Sequence, residues 1–211
     1  MSGPTPTNTE ATSGQNHHSL PIHLPVAFST PSQLESYSLP SIDWLQATWH
    51  VTHSTWSRWS PSKRRNVCYN YSALPDKTNA VRDVVTYHGL YSTKVKKIQG
   101  ISSVTSDKRM RWEGTGVLSL LGQKCLWDVM GFGEMTVDVS EERRGEISNK
   151  WMVIYYEKTM FSPQGMSILS SSPSGLSEKM LVRIKEDLKN LGGDIGELST
   201  TLFRTKIDGG R

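Results

Sequence analysis

His53 and Tyr155 are the two side chains of this 211-residue chain that best fit proton transfer or hydrogen bonding inside a β-structure. His50 and His53 share one strand-like run, and their odd spacing puts them on opposite faces. If Trp49 points inward, period two carries Val51 and His53 inward with it and leaves His50 outside. His88 is the weaker second imidazole. Phenol donors are plentiful: Tyr69, Tyr71, Tyr87, Tyr91, Tyr155 and Tyr156 all sit in or beside strand-like runs. Four acids, Asp83, Glu113, Asp128 and Glu134, have the same context, and because charged side chains in strands usually face solvent, all four are expected outside.

Seven tryptophans supply the apolar counterpart. Rings buried around a ligand contribute about 1.5 to 3 kcal/mol each when fully desolvated, so an aromatic interior can bind by area alone. Tyr71, Trp112 and Trp127, with Met130 and Val153, form the expected lining of a substrate site. Other chemistries lack their motifs. There is no Gly-x-Ser-x-Gly and no Walker loop, and Gly131-Phe132-Gly133 lacks the third glycine and following helix of a dinucleotide site. No His-x-His or His-Glu-x-x-His pair occurs, and Cys68 and Cys125 are too far apart for a thiolate site, so neither metal nor cofactor is expected. The basic runs Lys63-Arg64-Arg65 and Lys94-Val95-Lys96-Lys97 are short and turn-flanked, which reads as solvated loops and not as a nucleic-acid groove.

The elements that must position these residues are mostly strands. Eight runs rich in Val, Ile, Thr, Tyr and Trp fall near 45–56, 66–74, 81–90, 94–104, 109–121, 124–131, 151–158 and 165–171, separated by Pro, Gly, Asn, Asp or Ser clusters. Leu181, Ile184, Leu188 and Leu191 then repeat at helical spacing, which predicts an amphipathic helix over about 178–191 with Ser177 as N-cap. Trp151 to Tyr156 is apolar on both faces, so one face can line an interior while the other lies under that helix. Residues 1–19 hold almost nothing to bury and are expected to be disordered. Residues 20–40, with Pro21, Pro25, Pro31 and Pro40 among apolar residues, are expected to form an extended arm laid on the domain of 41–211, covering one barrel end. The first forty residues carry no Lys or Arg, and the longest apolar run spans six residues, Trp151 to Tyr156. A cytoplasmic protein without a transmembrane helix is the expectation.

Eight strands in up-and-down order followed by one packed helix point to a closed antiparallel barrel, which removes exposed edges and encloses room for one small ligand. Leu45-Gln46-Ala47-Thr48-Trp49-His50-Val51 resembles the opening strand of a lipocalin. Trp151–Tyr156, Ile168 to Pro173, the helix and Leu191-Gly192-Gly193 look like that family's last two strands, helix and tail. The resemblance implies an all-β, lipocalin-like barrel, with Trp49 as the plug at its closed end and a small hydrophobic metabolite as partner. Intracellular proteins of this kind include cofactor-independent cyclases and isomerases of microbial secondary metabolism, some of them catalysing intramolecular Diels–Alder reactions on terpenoid or polyketide-like substrates. Three classes therefore stay open: such an enzyme, a non-catalytic carrier, and an interaction module with a filled barrel.

Overall fold

The computed structural model describes residues 20–137, 147–160 and 162–208; the tail 1–19, expected to be disordered, lies outside the described residues. Two short helices, α1 (Pro31–Glu35) and α2 (Ile42–Leu45), precede the strands β1 (Thr48–Ser54), β2 (Arg64–Leu74), β3 (Lys77–Gly89), β4 (Val95–Val104) and β5 (Met110–Gly114). After α3 (Val117–Leu120) come β6 (Lys124–Val137), β7 (Ile147–Tyr156) and β8 (Gly165–Ser170), then α4 (Glu178–Asn190), α5 (Gly193–Ser199) and the two-residue β9 (Phe203–Arg204). The fifth run ends earlier than the sequence pattern implies. Gly116, at φ 61°, breaks it, and Val117 and Leu120 turn out to solvent on α3. Ser177 accepts from the Met180 amide to cap α4 as expected, while Gly192 and Gly193, both at positive φ, stop it and launch α5, which the periodicity did not announce.

Every strand from β1 to β8 pairs antiparallel with its neighbours, and β1 pairs with both β2 and β8, so the sheet closes into an eight-stranded up-and-down barrel. Two of its bulges bear on the site. At Thr52 in β1 an extra residue separates the Val51–Leu169 and His53–Ile168 pairs, and at Met130 in β6 another separates Val129–Ile154 from Gly131–Val153. Each bulge resets which residues face inward. Beyond His50, β2 leaves β1, and β9 takes its place, pairing Arg204 with His53 and Phe203 with Ser54.

Two apolar clusters result, one on each side of the barrel wall. The interior holds Trp49, Val51, Tyr69, Tyr71, Val81, Val85, Met110, Trp127, Val129, Met152, Ile154, Tyr156 and Leu169. The outer cluster packs Met130, Trp151, Val153, Tyr155, Met166 and Ile168 against Ile184 and Leu188 of α4 and Ile195 of α5. The double-faced apolar run of β7 is thereby used on both sides. Trp49 is fully buried and donates its indole N–H to the Leu45 carbonyl at 2.8 Å, so α2 and Trp49 together plug one end.

The arm follows a different course from the one expected. It does not cap a barrel end but crosses the outer face of β6. The His23 amide donates to the Met130 carbonyl at 2.9 Å, the Tyr37 hydroxyl to the Val129 carbonyl at 3.2 Å, and the Leu20 amide to Asp187 of α4 at 2.8 Å. The bulge in β6 takes carbonyls out of regular pairing, and the arm meets two of them. Gly131 is needed for this approach, since a Cβ there would come within 2.9 Å of Ile22 and 3.1 Å of the Pro21 carbonyl.

Candidate functional site

Toward the end where β1 finishes, the barrel encloses a cavity of about 150 Å³. Its roof is the turn Ser57–Trp59, which follows directly on β1, and its deeper walls come from inward positions of β2 to β7. Period two brings Tyr69 and Tyr71, Asp83 and Val85, and Trp127 to the same interior side by side. The rings are organised. Tyr71 and Trp127 lie nearly parallel, 9° apart with centroids at 5.9 Å, and Trp56 stacks on Tyr156 at 4.3 Å. Trp112 lies flat across β4 because Gly100 leaves the room; a Cβ at that position would meet the indole at 2.3 Å.

One acidic side chain lies among the rings of this chamber, whose lining also includes Arg58 and Lys124. Asp83 is 3% exposed, and its Oδ2 accepts from the Ser102 hydroxyl at 2.9 Å. Ser102 in turn accepts from the Trp127 indole N–H at 3.2 Å. The other carboxyl oxygen, Oδ1, is buried with no hydrogen-bond partner among the described residues. Burial, offset in part by the Ser102 hydrogen bond, pushes the Asp83 carboxyl up to about 7. A carboxyl titrating near neutrality inside a ring-lined pocket can accept a hydrogen bond when ionised and donate one when protonated.

No protein-family model and no curated protein sequence matches the chain. Solved structures do. H1 crustacyanin from the lobster Homarus americanus superposes with a TM-score of 0.53 at 11% identity over 90% of each chain. The chain has the lipocalin fold. Lobster apocrustacyanin A1 (TM-score 0.49, 13% identity, 76% of each chain) and the siderocalin Ex-FABP (TM-score 0.46, 12% identity, 76% of this chain and 93% of that one) are further matches.

The expected site residues divide across the lipocalin wall. Tyr71, Trp112 and Trp127 line the cavity. His53, Tyr155, Met130 and Val153 do not; they lie outside the barrel, and the two bulges explain half of that. His53 follows the extra residue at Thr52, which reverses the parity counted from Trp49 and turns the imidazole out toward Lys185 of α4 and Arg204 of β9. Burial, reinforced by those two cations, lowers its pKa to about 4. Met130 is itself the extra residue of β6 and joins the outer cluster. Val153 and Tyr155 alternate with the interior residues Met152, Ile154 and Tyr156, so they belong to the face under the helix and arm. Phe28 of the arm sits edge-on over Tyr155 at 5.8 Å, and the phenol hydroxyl donates to Gln164 at 3.2 Å. His88 alternates with Tyr87, which packs against the interior cluster, and so faces outward.

Two of the four acids part company with the expectation as well. Glu113 and Glu134 lie at the surface, their side chains 48% and 50% exposed, whereas Asp83 and Asp128 are buried on opposite sides of the lipocalin wall. Asp128 accepts from Arg109 at 2.8 Å and from the Val26 amide of the arm at 3.3 Å; Arg109 also pairs with Glu157 at 2.7 Å. A wider groove of about 780 Å³ runs outside the barrel past His53, Lys185 and Arg204. It has no counterpart to the aromatic walls and the orphaned carboxyl oxygen of the interior. Asp83 is the cavity residue that sequence reasoning missed, and its signal was present: Val81, Asp83 and Val85 share one face of β3, and the two valines are typical interior residues.

Proposed function

We propose that the protein binds a small, largely apolar molecule of about one ring inside the barrel. The observation that carries this reading is the 150 Å³ cavity walled by Trp59, Tyr71, Trp112, Trp127 and Tyr156. Space on that scale accommodates a benzene-sized ligand. A ligand of eight to ten heavy atoms, at roughly 0.6 to 0.8 kcal/mol per atom, gains about 5 to 8 kcal/mol, which corresponds to a Kd between about 300 μM and about 1 μM. Carriage of a small hydrophobic metabolite follows directly, because binding of this kind needs no chemical step.

A second reading is cofactor-independent catalysis of an intramolecular Diels–Alder-type cyclisation, and one observation favours it. The Asp83 carboxyl, held up to about 7 by burial, has a protonated form that would donate a hydrogen bond to an activating carbonyl. It ranks second because a polycyclic or polyene substrate exceeds 150 Å³ and would need the Ser57–Trp59 turn to lift.

Titrating the purified protein with ring-sized probes while following tryptophan emission tests the first reading. Saturable quenching in the micromolar range is expected. Absence of saturable binding for every probe would leave a barrel filled by its own side chains. Incubation with a lipophilic extract followed by mass spectrometry of bound and converted species separates carriage from cyclisation.

A further inference from the structure

Asp83 is an unusual wall for an apolar ligand. It is almost completely buried, and one of its two oxygens has no partner among the described residues. An acceptor left unpaired in such a place is destabilising, and more so if charged, unless a donor occupies the space beside it. Its surroundings decide what that something is.

Ser102 has a single hydroxyl proton. Because its oxygen already accepts from the Trp127 indole, the proton points at Asp83 Oδ2, and the chain from Trp127 through Ser102 to Asp83 runs in one direction. Asp83 is therefore presented as an acceptor. The groups facing it from the neighbouring strands are neutral: Tyr69 and Tyr71 from β2, Ser102 from β4, Cys125 and Trp127 from β6, and Tyr156 from β7. Arg58 and Lys124 stand at the cavity's margin. Lys124 pairs with Glu113 at 2.9 Å, Arg58 lies over the Trp59 ring at 5.8 Å, and no ion pair to Asp83 occurs among the described residues. The chamber thus joins an acceptor without a counter-charge to several π faces.

We infer that the preferred ligand is a small organic ammonium, a primary amine on a single ring, whose N–H donates to Asp83 Oδ1 while its ring packs between the indole and phenol faces. This rests on the binding reading above and narrows its ligand class. A hydrocarbon would fill the rings and leave Oδ1 orphaned. An anion would meet the carboxylate. An ammonium answers the orphaned oxygen, supplies the missing charge and gains from the aromatic faces at once. With burial holding the empty carboxyl near 7, the pair forms fully only above that pH.

The test is calorimetric titration with benzylamine, benzyl alcohol and toluene, three probes sharing one ring and differing in the donor, at pH 8.5 and pH 5.5. Benzylamine should bind at least about tenfold tighter than the other two at pH 8.5 and weaken about thirtyfold at pH 5.5, as protonation of a group titrating near 7 requires. Toluene should change by less than about threefold. Asp83→Asn, checked for folding by its melting curve, should abolish the amine preference and keep toluene binding; the wild-type pH and probe series decides the matter even if that variant misfolds. Toluene binding without an amine preference would overturn this inference and leave the binding reading intact. Equal affinity for benzyl alcohol and benzylamine would overturn it in favour of a neutral donor. Failure of all three probes to bind would overturn both.

Discussion

Asp83 and His53 are buried titratable groups with opposite consequences for stability. The native carboxyl of Asp83 holds its proton up to about 7, against an ordinary value of 3.8, so between those values the native state binds more protons than the unfolded state. Stability therefore falls as pH rises from about 4 to about 7 and stays low above, by a total of about 4 kcal/mol for that displacement. Asp83→Asn should melt higher than wild type at pH 8 and converge with it near pH 4; identical melting temperatures at both pH values would show that the carboxyl is not desolvated. His53 works the other way. Its pKa is lowered from 6.5 to about 4, so the stability its neutral form carries is complete above 6.5 and is lost as pH falls toward 4. His53→Gln should flatten that acid limb by about 2 to 3 kcal/mol without changing ligand affinity, because the imidazole lies outside the barrel. Period-two counting from Trp49 is correct as far as Val51 and then fails at the bulge. A bulge leaves no composition signature in Val51-Thr52-His53, so the sequence placed the imidazole on the wrong side of the wall.

At the scale of elements, the barrel wall is stabilised from two sides, and β6 to β8 carry both loads. The eight strands and helix α4 were legible because period-two and period-3.6 patterns are written directly into the residues. The path of the arm was not, because its apolar residues announce only that they need cover, and the carbonyls that receive it are exposed by the bulge at Met130. Those contacts make the arm an integral layer. Removing residues 1–30 should cost far more than removing 1–19, since Leu20, Ile22 and Leu24 leave the outer cluster and Asp128 loses the Val26 amide. Gly131→Val should mimic part of this loss by displacing Ile22. The Arg109–Asp128 pair beneath the arm sets the larger figure. Arg109→Ala strands a fully buried carboxylate and should destabilise by about 3 to 5 kcal/mol, readable as a shift of the urea midpoint with unchanged slope. An unchanged midpoint would mean the pair is solvated.

For the whole molecule, closure couples the ligand chamber to global stability. β1 is the seam, pairing with β2, β8 and β9, and the chamber walls come from strands spread around the circumference, so the pocket cannot open locally without loosening neighbouring ladders. The plug is part of the same interior cluster. Trp49→Ala should therefore cost about 3 to 5 kcal/mol, the range for deleting a buried large aromatic, although Trp49 does not line the cavity. Ligand binding is the converse perturbation of that unit. A molecule that binds only the native barrel, at one hundred times its Kd, adds about 2.7 kcal/mol, and for a chain of this size each kcal/mol raises the melting temperature by about 2 to 4 °C. Saturation should thus raise the single transition by about 5 to 10 °C in wild type and by a similar increment in Trp49→Ala, provided that variant still folds, because Trp49 does not line the pocket. A ligand-induced shift confined to one of two resolved transitions would show that the barrel does not unfold as one unit, and the chamber would then be a local feature of its open end.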